Sequence, residues 1–242
     1  MNKKTMPYKL AVVMPVYNEE ECIVDVINSW VDMLLKLNIK FKIIVLNDGS
    51  TDNTVKALEI FKTNENIHIV DKKNSGHGPT ILMGYKMAVE IADWIFQCDS
   101  DDEMKAEDFP KLWQNCINYD VLFGIRHNRK QNVGRKIISM FSRVVVKELF
   151  GKSISDVNVP YRLMSNCVAQ NIIDKIPENT FAPNIIISGM IAKYKYRVYE
   201  TLIPHYNRKT GKESLVQLKL WKMALKSFKQ TILVRFSYFQ QS

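Results

Sequence analysis

A chain of 242 residues, 46% hydrophobic and 10% aromatic, has the size and composition of one large globular domain, or of one domain with a tail. Its four cysteines, Cys22, Cys98, Cys116 and Cys167, have no paired spacing, which excludes a disulfide or zinc framework and indicates reduced thiols in a cytosolic protein. The net charge of +9 is accompanied by no signal-peptide profile, and no apolar run approaches the roughly 20 residues needed to cross a bilayer.

In chain order, LAVVMPV (10–16) reads as a buried strand that Pro15 ends. Tyr17 and the acids Glu19 to Glu21 follow, and Ile23, Val26, Ile27, Trp30, Val31, Leu34 and Leu35 then mark a helix over 22–37. FKIIVLNDGSTDNT (41–54) repeats the pattern: a buried strand, a turn at Asp48-Gly49, a cap from Ser50, Thr51 or Asp52, and a helix over about 53–62. Residues 67–92 read as strand, glycine loop and helix, and Trp94-Ile95-Phe96 as a further strand that stops abruptly in acid. Alternation of this kind predicts an α/β fold, a mostly parallel sheet with helices on both faces. Ligands bind such sheets beyond the carboxyl ends of the strands. Tyr17, Glu19, Asp48, Asp71, Asp99 and Asp101 all stand at such ends, so one edge of the sheet is expected to be a site.

The acids after the fourth strand, Asp99, Asp101, Asp102 and Glu103, fall within five residues. Carboxylates this dense repel one another unless a cation sits among them. Asp99 and Asp101, two apart at a strand end, suit a hard cation such as Mg²⁺ or Mn²⁺ that also holds phosphate oxygens. An acidic turn or a helix cap before Ala106 is the plain alternative.

These stretches resemble family 2 glycosyltransferases of the GT-A fold. VVMPVYNEE resembles that family's opening strand, IIVLNDGSTDNT its second strand with Asp-Gly-Ser-x-Asp, NSGHGPTILMG its Asn-x-Gly-Lys-Gly loop with His77 in place of Lys, and QCDSDDEM its Asp-x-Asp metal motif. The resemblance implies that Pro15, Tyr17 and Glu19 hold the base and ribose of a nucleotide-sugar donor and that Leu46 and Asp48 flank the base. It implies that Asp99 and Ser100 face the ribose and diphosphate, that Asp101 binds Mg²⁺ or Mn²⁺, and that Asp99 and Glu103 complete the metal ligands.

The second half resembles the polyprenyl-phosphate branch of the same family, which includes the dolichyl-phosphate mannosyltransferases. The matching residues are Gly124 and Arg126; Arg135 and Ser139; Asp156, Tyr161, Arg162 and Leu163; and Glu200, His205, Arg208, Gly211 and Ser214. The resemblance implies transfer of a hexose from a UDP- or GDP-sugar to a polyprenyl phosphate with inversion, Arg126, Arg135 and Arg208 with Ser139 gripping the acceptor phosphate. Guanidinium groups suit that task because they bind phosphate bidentately. The competing reading is a sugar or glycolipid hydroxyl acceptor in cell-surface polysaccharide synthesis, with Asp156 as the base such an acceptor needs.

Residues 1–192 hold 23 basic and 23 acidic residues, whereas 193–242 hold 11 and 2. The basic excess therefore lies in the last fifty residues. A glycosyltransferase domain over 1–213 and a basic amphipathic helix over 214–242 are expected, with Leu218, Trp221, Leu225, Phe228 and Ile232 on one stripe and Lys219, Lys222, Lys226 and Lys229 on another. The helix either lies on an acidic membrane surface or packs its apolar face on the domain. The chain is expected at the cytoplasmic face of the membrane, held peripherally or by a small membrane partner, and not on nucleic acid.

Overall fold

The computed structural model describes residues 5–127, 133–151, 154–206 and 217–239. The first half runs β1 (Tyr8–Val16), α1 (Ile23–Lys36), β2 (Phe41–Asn47), α2 (Thr54–Leu58), β3 (Ile67–Asp71), α3 (His77–Val89) and β4 (Ala92–Gln97). The second half runs α4 (Pro110–Trp113), β5 (Val121–His127), α5 (Val133–Phe150), β6 (Arg162–Ser165), α6 (Asn166–Ile173), α7 (Pro183–Lys193), β7 (Val198–Pro204) and α8 (Gln217–Phe239). The helix expected over 53–62 is shorter, with a 3₁₀ turn at Glu59–Phe61 completing it. Asp52 receives the Thr54 N–H at 3.0 Å, so it caps from one position further out than an N-cap.

The strands form one sheet in the order β3-β2-β1-β4-β6-β5-β7. β1, β2, β3 and β4 pair in parallel, as do β5 and β7, while β6 runs antiparallel to both β4 and β5. The mostly parallel sheet is thus observed. The reversal of β6 has a consequence for function: its start, not its end, lies at the edge where the other strands finish, so residues 154–161 arrive at that edge too.

Continuous apolar strands are buried on both faces, with Leu10 to Met14 fully inaccessible. One face carries an aromatic cluster in which Phe96 meets Tyr161 at 4.7 Å, Phe109 at 4.8 Å and Trp30 at 5.1 Å between centroids. Arg162, on the opposite face of the sheet, is fully buried, its guanidinium 5.2 Å from the Phe123 ring centroid. It donates to the carbonyls of Val159 at 2.7 Å and Asn184 at 3.2 Å, so one residue ties the 157–159 segment to the start of α7. Burial pulls its pKa down to about 10, which leaves it charged at neutral pH.

Two glycines set close approaches near the sheet edge. Gly49 has φ +68°, and a Cβ there would lie 2.8 Å from the Asn74 amide nitrogen. Gly78, in the first turn of α3, lies against the Thr180–Phe181 backbone so closely that a Cβ would meet the Thr180 carbonyl at 2.2 Å. Gly78→Ala is therefore expected to lower stability by about 1–3 kcal/mol, the usual range for forced overpacking, with the midpoint of urea unfolding as the readout. A midpoint equal to that of the unmodified chain would count against this packing.

α8 does not stand apart from the domain. It packs on α5 and α7, with Thr231 and Val234 buried. Its Gln230 receives the Phe181 N–H at 2.9 Å, and Arg235 donates to the Leu149 carbonyl at 2.6 Å. The apolar stripe expected from periodicity is split: Phe228 turns inward against Phe141 at 5.5 Å, while Leu225 stays exposed. Among the described residues, no helix is long and apolar enough to cross a membrane.

Candidate active site

The carboxyl ends of β1, β2, β4, β5 and β7 and the segment before β6 open into one cleft of about 1440 Å³. Pro15, Tyr17, Glu19, Asp48, Asp99, Ser100, Asp101, Glu103, Arg126 and Ser139 all line it, so most of the residues singled out along the sequence converge. Asp71 does not join them. Its strand is one further out in the sheet, and its carboxylate accepts the Asn47 side-chain N–H at 2.8 Å.

Leu46 corrects an expectation. It is fully buried inside the sheet and does not face the cleft. Leu46 lies inside β2, where both faces of the sheet are covered, whereas Asp48 stands past the strand end and reaches the opening. Asp48 itself is committed. Its carboxylate accepts the N–H groups of Ser75 at 2.8 Å and Gly76 at 2.9 Å and pairs with Lys72. Burial raises its pKa, but the bonds from Lys72, Ser75 and Thr80 outweigh burial and leave the carboxyl below its ordinary range. Asp48 thus shapes this wall of the cleft by fixing the 72–76 loop. Arg208 lies outside the described residues, and of Arg135 only its place near the start of α5 is described.

The acidic loop after β4 is bracketed by two histidines. His77, where the family pattern has lysine, contacts Asp99 Oδ1 through Nε2 at 3.1 Å. His205 contacts Glu103 Oε2 through Nε2 at 3.1 Å. Desolvation lowers the His77 pKa, but Asp99, Asp101 and Asp48 together raise it above the ordinary value. Burial first, and then the same Asp99 and Asp101 charges, push the Cys98 thiol well up. The His77 shift registers the negative field of these acids, the condition in which a cation is favoured. Between the histidines Asp102 adopts a left-handed backbone with φ +57°, and the Glu103 N–H reaches Asp101 Oδ1 at 3.2 Å.

Among the described residues, no group of three or more His, Cys, Asp or Glu side chains is gathered closely enough to hold a metal. The expected set Asp99, Asp101 and Glu103 is therefore not a ready-made cage, because its outer members are each drawn to an imidazole. The residues still fit Mg²⁺ or Mn²⁺: the donors are all oxygen, and these ions bind through one or two carboxylates with waters and substrate phosphates supplying the rest.

On the other side of the cleft, Arg126 at the end of β5 forms a two-pronged pair with Asp156, Nε to Oδ2 at 2.6 Å and Nη2 to Oδ1 at 2.8 Å. Both are largely buried, at 8% and 19% side-chain exposure. Ser155, next to Asp156, donates to both Glu200 oxygens at 2.8 Å, which fastens this segment to β7. The pairing with Arg126 depends on β6 running backward, and no local pattern announces that. Beyond Arg126 the cleft turns apolar, walled by Ile137, Phe141 and Val145 of α5 and by Leu225 and Phe228 of α8.

The chain belongs to glycosyl transferase family 2, whose model matches residues 11–181. It is 29% identical over 220 residues to undecaprenyl-phosphate 4-deoxy-4-formamido-L-arabinose transferase of Proteus mirabilis strain HI4320, covering 88% of this chain and 64% of that protein. The chain thus spans less than two-thirds of the length of this relative. Glucosyl-3-phosphoglycerate synthase from Mycobacterium tuberculosis, crystallised with phosphoglyceric acid, shares the fold at a TM-score of 0.69 and 14% identity, with 94% of this chain and 80% of that chain covered. The same enzyme crystallised with Mn²⁺, UDP and glucosyl-3-phosphoglycerate superposes at a TM-score of 0.67 and 16% identity, again over 94% and 80%.

Proposed function

We propose that the protein transfers a hexose from a UDP- or GDP-sugar to a polyprenyl phosphate, with a divalent cation and with inversion, at the cytoplasmic surface of a membrane. One observation carries this reading. The cleft runs without a break from the acidic loop, past Arg126, to an apolar channel between α5 and α8. A nucleotide diphosphate, an anionic acceptor group and an aliphatic chain want those three environments in that order. The likeness to a transferase named for undecaprenyl phosphate supports it.

In this reading Pro15, Tyr17 and Glu19 hold the nucleoside, and Asp101 carries the cation against the diphosphate. When bound, Mg²⁺ or Mn²⁺ offsets the charge that develops on the leaving diphosphate. Arg126 uses two of its five N–H donors on Asp156, and the others serve an anion. A phosphate oxygen is already ionised at neutral pH and attacks the anomeric carbon directly, so one displacement inverts that centre and no base is required. The hydroxyl-acceptor reading needs Asp156 as base, yet both Asp156 oxygens accept from Arg126. The decisive assay offers purified protein a panel of UDP- and GDP-sugars with a short polyprenyl phosphate. Transfer of label to lipid supports the reading, and transfer only to a free sugar acceptor refutes it.

The same two helices support the membrane surface in this reading. Met140 and Val144 of α5 are 59% and 51% exposed and stand on one stripe with Ile137 and Phe141, and Leu225, Leu233 and Phe236 of α8 are also exposed. Lys147, Lys226 and Lys229 are exposed on the same helices. An apolar face with lysines about it suits an anionic bilayer. Met140→Ser with Val144→Ser is expected to weaken sedimentation with phosphatidylglycerol vesicles about tenfold or more, since burying each such side chain contributes roughly 1.5–3 kcal/mol. Unchanged partitioning would exclude this face.

A further inference from the structure

The histidine at the end of β7 reaches an acid that belongs to the other half of the sheet. β4 and β7 are separated by β6 and β5, so their ends lie about 14 Å apart at ordinary strand spacing. The acidic loop spans that gap and is fastened at the far side three times. His205 Nε2 meets Glu103 Oε2 at 3.1 Å, the Tyr206 N–H donates to the Glu103 carbonyl at 2.9 Å, and Lys105 Nζ sits 4.8 Å from the Tyr206 ring centroid. The His205 N–H in turn donates to the His127 carbonyl at 3.2 Å, at the end of β5. The imidazole is 8% exposed and both partners line the cleft. A carboxylate only accepts, so Nε2 carries the proton and donates.

We propose that His205 is a positioning residue for the donor site: by holding Glu103 it sets the path of the loop on which Asp101 stands. The two shared bonds at Glu103, one to its side chain and one to its carbonyl, leave that residue little freedom. Asp101 lies two residues before it and bonds its N–H. Removing the imidazole takes away a contact that holds the partly buried Glu103 carboxylate, and its charge then bears more strongly on Asp101 and Asp99 and shifts the loop. Cation-dependent diphosphate binding therefore suffers, while base and ribose contacts at Pro15, Tyr17 and Glu19, on the other side of Asp101, do not.

The inference rests on the donor-site reading above. Its test is calorimetric binding of UDP and of GDP to the full chain, with and without Mn²⁺. His205→Ala is expected to weaken Mn²⁺-dependent affinity about tenfold, as for loss of one hydrogen bond to a charged group, and to leave metal-free affinity unchanged. His205→Gln, whose amide N–H still donates, restores most of it. His205→Ala combined with Glu103→Gln is no weaker than Glu103→Gln alone, because both remove the same contact. Unchanged Mn²⁺-dependent affinity in His205→Ala, equal loss with and without metal, or additive losses in the pair would each overturn the proposal. If the unmodified chain binds neither nucleotide, the donor reading itself fails, and amide exchange over residues 101–105 decides the positioning role. Faster exchange in His205→Ala than in His205→Gln supports it, and equal exchange overturns it.

Discussion

Asp101→Ala is expected to lower turnover by about 10²–10³-fold, the scale of losing a group that stabilises charge developing in a transition state. Asp99 is drawn to His77 and Glu103 to His205, and Asp101, between them in the loop, lines the cleft. Without it a cation loses its main anchor, and the diphosphate must leave uncompensated among Asp99, Asp102 and Glu103. Excess EDTA is expected to match the substitution on the unmodified chain, and Mn²⁺ or Mg²⁺ to reverse EDTA but not Asp101→Ala. The measurement is initial rate across a metal titration together with UDP and GDP affinity. Full activity in EDTA would remove the cation from the mechanism.

Arg126→Ala and Asp156→Asn are expected to part company. Arg126→Ala removes a charge-assisted contact to the acceptor dianion and is expected to cost roughly 1.5–3 kcal/mol, ten- to a hundredfold in kcat/KM for the lipid. Sugar-nucleotide affinity stays near normal, because Arg126 stands across the cleft from the donor residues. Asp156→Asn keeps the shape and one acceptor for Arg126, and it is expected to retain turnover within about tenfold, since no proton has to be removed. A hydroxyl acceptor reverses the order: loss of a base costs about 10²–10⁴ in rate, and the arginine matters little. Steady-state kinetics of both variants on a short polyprenyl phosphate separate the cases. A folded, donor-binding Asp156→Asn without turnover, beside a healthy Arg126→Ala, would sink the phosphate mechanism. Arg135→Ala, at the start of α5, is expected to behave as Arg126→Ala does.

Much of the donor end was legible along the chain because parallel βαβ units translate sequence order into position. Each strand from β1 to β4 ends at the same edge, so Tyr17, Glu19, Asp48, Asp99 and Asp101 were bound to be neighbours once alternation was recognised. The apolar runs are short and continuous because both faces are covered, and this too is read locally. The one misplacement at that end, Leu46, shows the limit: a doubly covered strand lacks the two-residue alternation that would mark which side chain faces an opening.

Tertiary structure alone decided the acceptor end and the bracing of the acidic loop. The reversed β6 carries Asp156 to Arg126, thirty residues earlier in the chain, and β7 at the sheet edge delivers His205 to Glu103, 102 residues away. Periodicity along α8 marked an apolar stripe, but not that Phe228 would meet Phe141 while Leu225 stayed exposed. Those outcomes depend on which elements pack together. Hydrophobic burial is non-directional and reads only area, so a local pattern shows that a face must be covered, whereas the partner that covers it emerges when the whole sheet is assembled.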